Sequence, residues 1–175
     1  VWVVGGGAIG LLLVQLAKLP GAAKVVLSEP NDIRREKARQ LGADLCIDPL
    51  SENSFAEYLE FVGGEGADVV IECAGNRAAV ESAFRFVKRG ATILLFSVPS
   101  VDATYALPLF DVYQKELTIR GTFVNPDTHQ RAVELINSGR IQIAPILTHT
   151  FSLDELPEAI AMQTSPESIK VLVKA

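Results

Sequence analysis

The sequence of 175 residues predicts an α/β domain: a doubly wound parallel sheet, strand order 3-2-1-4-5-6, with a short C-terminal strand–helix–strand tail. Three observations point there. Strand-like and helix-like segments alternate six times between residue 1 and about residue 139. The strand-like segments are mostly continuous apolar runs, the pattern of strands covered on both faces. The first strand-to-helix turn carries Gly5, Gly7 and Gly10 at G-x-G-x-x-G spacing.

Residues 1–4 form the first strand. Ile9, Leu12, Leu13 and Leu16 then recur at helical spacing over 8–19, and Pro20-Gly21 stops the helix. The second strand is 24–29. Asn31 or Asp32 caps a helix over 33–41 whose apolar face includes Ile33, Ala38 and Leu41, and Gly42 ends it. A short third strand, 45–48, precedes a helix over 54–62 closed by Gly63-Gly64. The fourth strand, 67–73, is nearly all apolar. A helix follows over 77–88 with Val80, Phe84 and Val87, capped by Gly90, then a fifth strand from Ala91 to Phe96. A polar loop runs to about Tyr105, residues 109–115 make one or two helical turns, and Leu117–Thr122 is the sixth strand. Pro126 is placed at the first position of a helix that reaches Ile136. The tail differs: Ile146–Phe151 is β-like, Ser152-Leu153-Asp154-Glu155 fits a capping box before a helix over 154–163, and Lys170–Val173 is a last strand. The domain expectation is therefore 1–145 for the sheet domain and 146–175 for the tail, which is expected to fold back on the sheet edge, pair between chains or be mobile.

In a Rossmann reading each glycine has its own task. Gly5 allows the tight turn out of the strand, Gly7 lets a pyrophosphate approach the backbone, and Gly10 lets the helix pack closely on the strand. The helix N-terminus then faces the phosphates. Glycine clusters also make plain turns, so context decides. An acidic residue is required at the end of the second strand, roughly 20 residues on. Glu29 stands there, 19 positions beyond Gly10. A carboxylate suits a ribose 2′-hydroxyl and repels a 2′-phosphate, which favours NAD over NADP, although Arg34 and Arg35 offer positive charge close by.

Net charge is −5, with basic residues dispersed and Arg34-Arg35 and Lys88-Arg89 expected as solvated helix ends. No electrostatic footprint for nucleic acid or an anionic membrane is present. No apolar run approaches the ~18 residues of a membrane span. The chain opens on a strand with neither a methionine nor a basic leader, so it is expected to be a cytoplasmic fragment cut near a domain boundary. Cys46 and Cys73, the two cysteines, sit in apolar strands and are expected as reduced, buried thiols. No CxxC or Cys/His cluster suggests a metal site in this span. Glu72 is a charge inside an apolar strand; it must be hydrogen-bonded and is expected to brace the loop at the sheet's carboxyl edge. His129 and His149 are isolated and are expected as surface or satisfied side chains.

Three stretches taken together, Val4-Gly5-Gly6-Gly7-Ala8-Ile9-Gly10-Leu11, Ile71-Glu72-Cys73-Ala74-Gly75 and Ile119-Arg120-Gly121-Thr122-Phe123, resemble the cofactor domain of zinc-dependent medium-chain alcohol and polyol dehydrogenases, in particular the sorbitol and threonine dehydrogenase branch. The segment 148–155 is similar to that family's return into its catalytic domain. The resemblance implies that Gly5, Gly7 and Gly10 line the pyrophosphate and that Ala8 and Ile9 donate backbone amides. It implies that Glu29 accepts from the adenosine ribose, that Arg34 flanks it, and that Cys73, Ala74 and Gly75 pass the adenosine end and middle of the cofactor. Ser97, Val98 and Pro99 would lie beside the nicotinamide, and Thr122 and Phe123 at its carboxamide. It implies an alcohol or polyol substrate, and a zinc ion that polarises the alcohol, held by an N-terminal domain outside this span, so no catalytic residue is expected here. It also implies a dimer or tetramer, with 103–107 as a pairing segment. The alternative is a non-catalytic NAD(H)-sensing module of a regulator, in which the tail is an interaction arm.

Overall fold

Trp2–Val4 (β1) is buried at every residue and forms the centre of the sheet. The Trp2 indole is fully buried and its Nε1 donates to Ser28 Oγ at 3.1 Å, so the ring is packed without orphaning its one donor. The computed structural model describes residues 1–124 and 127–175. From β1 the chain enters Ala8–Lys18 (α1), then Val26–Ser28 (β2), Asp32–Gln40 (α2), Leu45–Ile47 (β3), Ser54–Val62 (α3) and Ala67–Glu72 (β4). Arg77–Arg85 (α4), Val87–Leu95 (β5), Leu109–Gln114 (α5) and Thr118–Gly121 (β6) complete the sheet, whose order is β3-β2-β1-β4-β5-β6 with every pairing parallel.

The crossovers put the helices on opposite faces. One apolar core gathers Trp2, Val4, Val70, Ile93, Tyr58 and Phe84 beneath α3 and α4. The other gathers Val3, Leu27, Leu11, Val14 and Ala38 beneath α1 and α2. Tyr58 ties the first core to the backbone: its hydroxyl donates to the Phe86 carbonyl at 3.0 Å and accepts from the Ala67 amide at 2.8 Å.

Three helices depart from expectation. The buried face of α1 is Gly10, Leu11, Val14, Gln15 and Ala17, whereas Ile9 and Leu16 are exposed. The helix is apolar nearly all round, so its periodicity alone does not fix which stripe faces the sheet; the close approach at Gly10 does. In α2, Asn31 is the cap, accepting from the Arg34 amide at 3.1 Å, but Ile33 points outward and is exposed. α4 ends at Arg85 and Val87 already belongs to β5, paired with Ala67; the next partner pair is Val69 with Thr92. The intervening chain bulges, and Gly90 at φ +70 turns inside that bulge instead of capping a helix. The helix start expected at Pro126 lies outside the described residues; the next described helix is His129–Asn137 (α6).

The tail pairs with itself. Leu147–Ser152 (β7) and Lys170–Lys174 (β8) form a separate two-stranded parallel sheet, joined by Leu156–Met162 (α7). The expected capping box is present: Ser152 and Glu155 open a single 3-10 turn, Leu153–Glu155, that leads into α7. Ile146 is buried in the core beneath α1 and α2, and Ile169 packs against it. The buried Gln15 side chain clasps the backbone of Gln142, donating to its carbonyl at 3.0 Å and accepting from its amide at 2.7 Å.

Candidate functional site

A cavity of about 410 Å³ opens at the carboxyl edge of the sheet, between the β1–α1 turn and the ends of β2, β3 and β4. This is the topological switch point, where the chain leaves β1 for one side of the sheet and β4 for the other. Its floor is glycine. Gly5 takes φ +104, and a Cβ there would stand 3.0 Å from the Ala74 amide nitrogen. A Cβ on Gly10 would fall 1.9 Å from the Gly5 carbonyl oxygen, so the helix reaches the strand only because that Cβ is absent. A Cβ on Gly7 would meet nothing within 4 Å. The backbone at Gly7 is therefore bare toward open space, the condition for a bulky anion to approach it. Gly7 also leaves α1 without a side-chain cap, and the helix's own first turn holds no acidic residue, so its positive end faces the open space at Gly7.

Glu29 is the polar centre of this cavity. It is 7% exposed, with Oε2 accepting from the Gly6 amide at 2.7 Å and Oε1 from the Asn31 amide at 3.0 Å. A carboxylate has roughly four acceptor positions, so two amides fix its orientation and leave acceptors for two hydroxyls. Arg34 lines the same cavity. Its Nη2 donates to the Ser168 carbonyl at 2.8 Å, while its buried Nε has no hydrogen-bond partner among the described residues. Arg35 turns back to donate to the carbonyls of Glu29 and Pro30 at 2.7 and 2.6 Å. Arg34 and Arg35 are thus half-buried and engaged, in contrast to the solvated pair expected from sequence. The remaining wall is largely apolar, with Pro49, Leu50, Phe55, Ala74 and Ala79.

Of the residues singled out from sequence, Gly5, Gly7, Glu29, Arg34, Cys73 and Ala74 line this cavity. Ala8, Ile9 and Gly10 form the first turn of α1 behind it. Gly75, Ser97 and Pro99 line a second, mainly apolar cavity of about 330 Å³, which reaches beneath α4 to Phe84, Tyr105 and Ile119. Asn76, the cap of α4, borders both. Val98, Thr122 and Phe123 lie on the surface and line neither cavity. The sequence reading missed Gly6, Asn31, Asn76, Pro49 and Phe55. Their common signal is position: each sits in or beside a turn leaving the carboxyl end of β1, β2, β3 or β4. Burial pushes the Cys73 thiol up to about 12, with the Glu72 charge adding to it, and burial pushes Cys46 up to about 11. Both are free thiols; Cys46 is buried and Cys73 half-buried.

The cavity fits the adenosine and phosphate portion of a dinucleotide. It offers an apolar slot, an oriented carboxylate, an unpaired buried guanidinium nitrogen and a helix end bared by glycine. It does not fit a resident metal: among the described residues no group of three or more His, Cys, Asp or Glu side chains is placed to hold one. Among them, too, no helix is long and apolar enough to cross a membrane.

Sheet order, glycine turn and strand-end acid together define a Rossmann domain of the dehydrogenase type. Residues 8–138 match the family profile described as zinc-binding dehydrogenase, and the chain belongs to that family. It is 32% identical over 176 residues to a sorbitol dehydrogenase of Gallus gallus, covering 99% of this chain and 49% of that protein. A zinc-binding dehydrogenase structure from Sinorhizobium meliloti 1021, bound to NADP, superposes with TM-score 0.93 at 37% identity, covering 99% of this chain and 52% of the other. A structure from E. coli CFT073, described as a short chain alcohol dehydrogenase complexed with NADH, gives TM-score 0.89 at 25% identity over 99% of this chain and 51% of that one. The chain spans about half the length of the curated relatives it matches.

Proposed function

We propose that this chain is the coenzyme-binding part of an NAD-dependent, zinc-dependent dehydrogenase that oxidises a secondary alcohol or polyol to a ketone. The observation that carries the reading is Glu29, oriented by two backbone amides beside a glycine turn open toward solvent. When bound, the nicotinamide supplies hydride acceptance. The residues of this chain bind and orient. Gly5, Gly7 and Gly10 line the pyrophosphate, with the backbone bare at Gly7, and the amides of Ala8 and Ile9 donate to it. Glu29 accepts from the ribose hydroxyls, and the free Nε of Arg34 donates to the same sugar. Cys73, Ala74 and Gly75 carry the turn beneath the middle of the cofactor. Ser97, Val98 and Pro99 flank the nicotinamide, with Thr122 and Phe123 at its carboxamide. Substrate contacts and zinc belong to residues outside this span.

NAD is the favoured form, because a 2′-phosphate would bring its charge against the buried Glu29 carboxylate. The NADP-bound relative uses the same fold, and Arg34 is the residue that would moderate the repulsion. We assign residues 1–145 to the nucleotide domain and 146–175 to a return segment, a division supported by the separate β7–β8 sheet. The cytoplasm and a homo-oligomer with residues 103–107 at its interface complete the reading.

Fluorescence titration of the chain with NADH and NADPH tests the proposal. Saturable NADH binding, with NADPH weaker by about tenfold, is expected. No saturable binding by a chain with intact circular dichroism would refute it. Tighter NADPH binding would overturn the NAD assignment alone.

A further inference from the structure

Glu72, the last residue of β4, has no exposed surface. A carboxylate so placed persists only when hydrogen bonds replace its water. Its Oε1 accepts from the amides of Ala74 at 2.7 Å and Gly75 at 2.8 Å. Its Oε2 accepts from the Ser97 hydroxyl. Its own carbonyl accepts from the amides of Phe96 and Ser97 at 2.9 and 3.0 Å. One residue therefore stitches the β4–α4 turn to the chain leaving β5. The two segments are in near contact: a Cβ added at Gly75 would lie 3.3 Å from Ser97 Cβ. Every donor to the carboxylate is neutral, and none of the ion pairs among the described residues involves Glu72. A dry carboxylate without a cation thus sits at the carboxyl edge of the sheet, between the segments assigned above to the middle and the nicotinamide end of the cofactor.

We propose that Glu72 is a positioning residue for the nicotinamide half of the cleft and that it biases this half toward the oxidised cofactor. The inference rests on the NAD reading above. Oxidised nicotinamide carries a positive charge on its ring and the reduced ring carries none. Only the oxidised form gains from a neighbouring carboxylate, and in a site shielded from water that attraction is far less screened than in solution. The stitch holds Gly75 and Ser97 in place for either form; the charge distinguishes between them.

The test is the ratio of the Kd for NAD+ to the Kd for NADH, measured by titration of the chain and its variants. Glu72→Gln keeps the shape and an acceptor for the Ala74 and Gly75 amides but removes the charge, so the ratio should rise on the order of tenfold. Ser97→Ala keeps the charge and cuts the stitch, so both Kd values should rise by roughly threefold with their ratio unchanged. A merely structural Glu72 would weaken both forms alike, and a folded Glu72→Gln variant with the parental ratio overturns the bias. Ser97→Ala tests the positioning role separately, and parental binding of both forms by that variant overturns it. Absence of saturable binding by the parent chain overturns the NAD reading and this inference together, whereas an unmoved ratio overturns only the role of Glu72.

Discussion

Two glycines three positions apart should respond in opposite ways to the same methyl group. In Gly10→Ala the new Cβ falls 1.9 Å from the Gly5 carbonyl oxygen, against an ordinary contact near 3.4 Å. The turn leaving β1 cannot yield easily, because the Gly5 amide is bonded to the Ser28 carbonyl at 2.8 Å. α1 must therefore retreat by about 1.5 Å, lifting Leu11, Val14 and Ala17 off the sheet and forfeiting much of their dispersion contact. Overpacking of this kind costs about 1–3 kcal/mol, and the upper end is expected because the obstruction is backbone. At 2–4 °C per kcal/mol for a chain of this size, Tm should fall by roughly 6–12 °C. In Gly7→Ala the Cβ meets nothing and the backbone, at φ −67, is ordinary for alanine. Its stability should stay within about 0.5 kcal/mol of the parent. Its affinity for NADH should nonetheless fall on the order of tenfold, since the methyl occupies the face where a pyrophosphate would rest. Thermal melts followed by circular dichroism, together with NADH titration, measure both. Equal loss of Tm in the two variants, or a parental Tm in Gly10→Ala, would refute the reasoning.

Two further outcomes follow from ionisation. Burial alone would raise the Asp44 carboxyl, but the Lys18 ammonium at 2.5 Å and the Val25 amide at 2.6 Å outweigh it and hold it below the ordinary 3.8. Its folded value lies below its unfolded one, so its stabilisation is present above about pH 4 and is lost as pH falls through the folded value. Asp44→Asn should flatten the acid limb of a Tm–pH curve below about pH 4, and parallel curves for parent and variant would contradict this. The raised thiols of Cys46 and Cys73 keep both protonated at pH 8, so iodoacetamide should label neither in the folded chain and both after unfolding, as read by mass spectrometry. Labelling of either at the rate of an exposed thiol would overturn that assignment.

The sheet order was legible from sequence because alternation, right-handed crossovers and the glycine turn leave one common topology. The glycine spacing and Glu29 were legible for the same reason: backbone geometry and a strand end tie each to a fixed position. Element edges were less so. Val87 reads equally well as the last apolar residue of a helix or the first of a strand, and its pairing with Ala67, nonlocal in sequence, decides. The rotation of α1 was likewise hidden. An apolar stripe is informative only when another face is polar, and here the contact of Gly10 with Gly5 selects the buried side.

By itself, then, the chain's sequence determined which segments are strands, which turn carries the glycines and which acid ends β2, since these follow from local pattern and fixed spacing. Only tertiary structure decided where charge and hydrogen bonds go. It gave Arg34 to the Ser168 carbonyl, 134 residues away, and buried its Nε without a partner among the described residues. It closed Gln15 on Gln142 and set Ser97 against Glu72. It also turned the tail into a small sheet of its own. Each of these is a contact between residues distant in the chain, made by side chains whose direction depends on how helices and strands pack, and no local pattern records it.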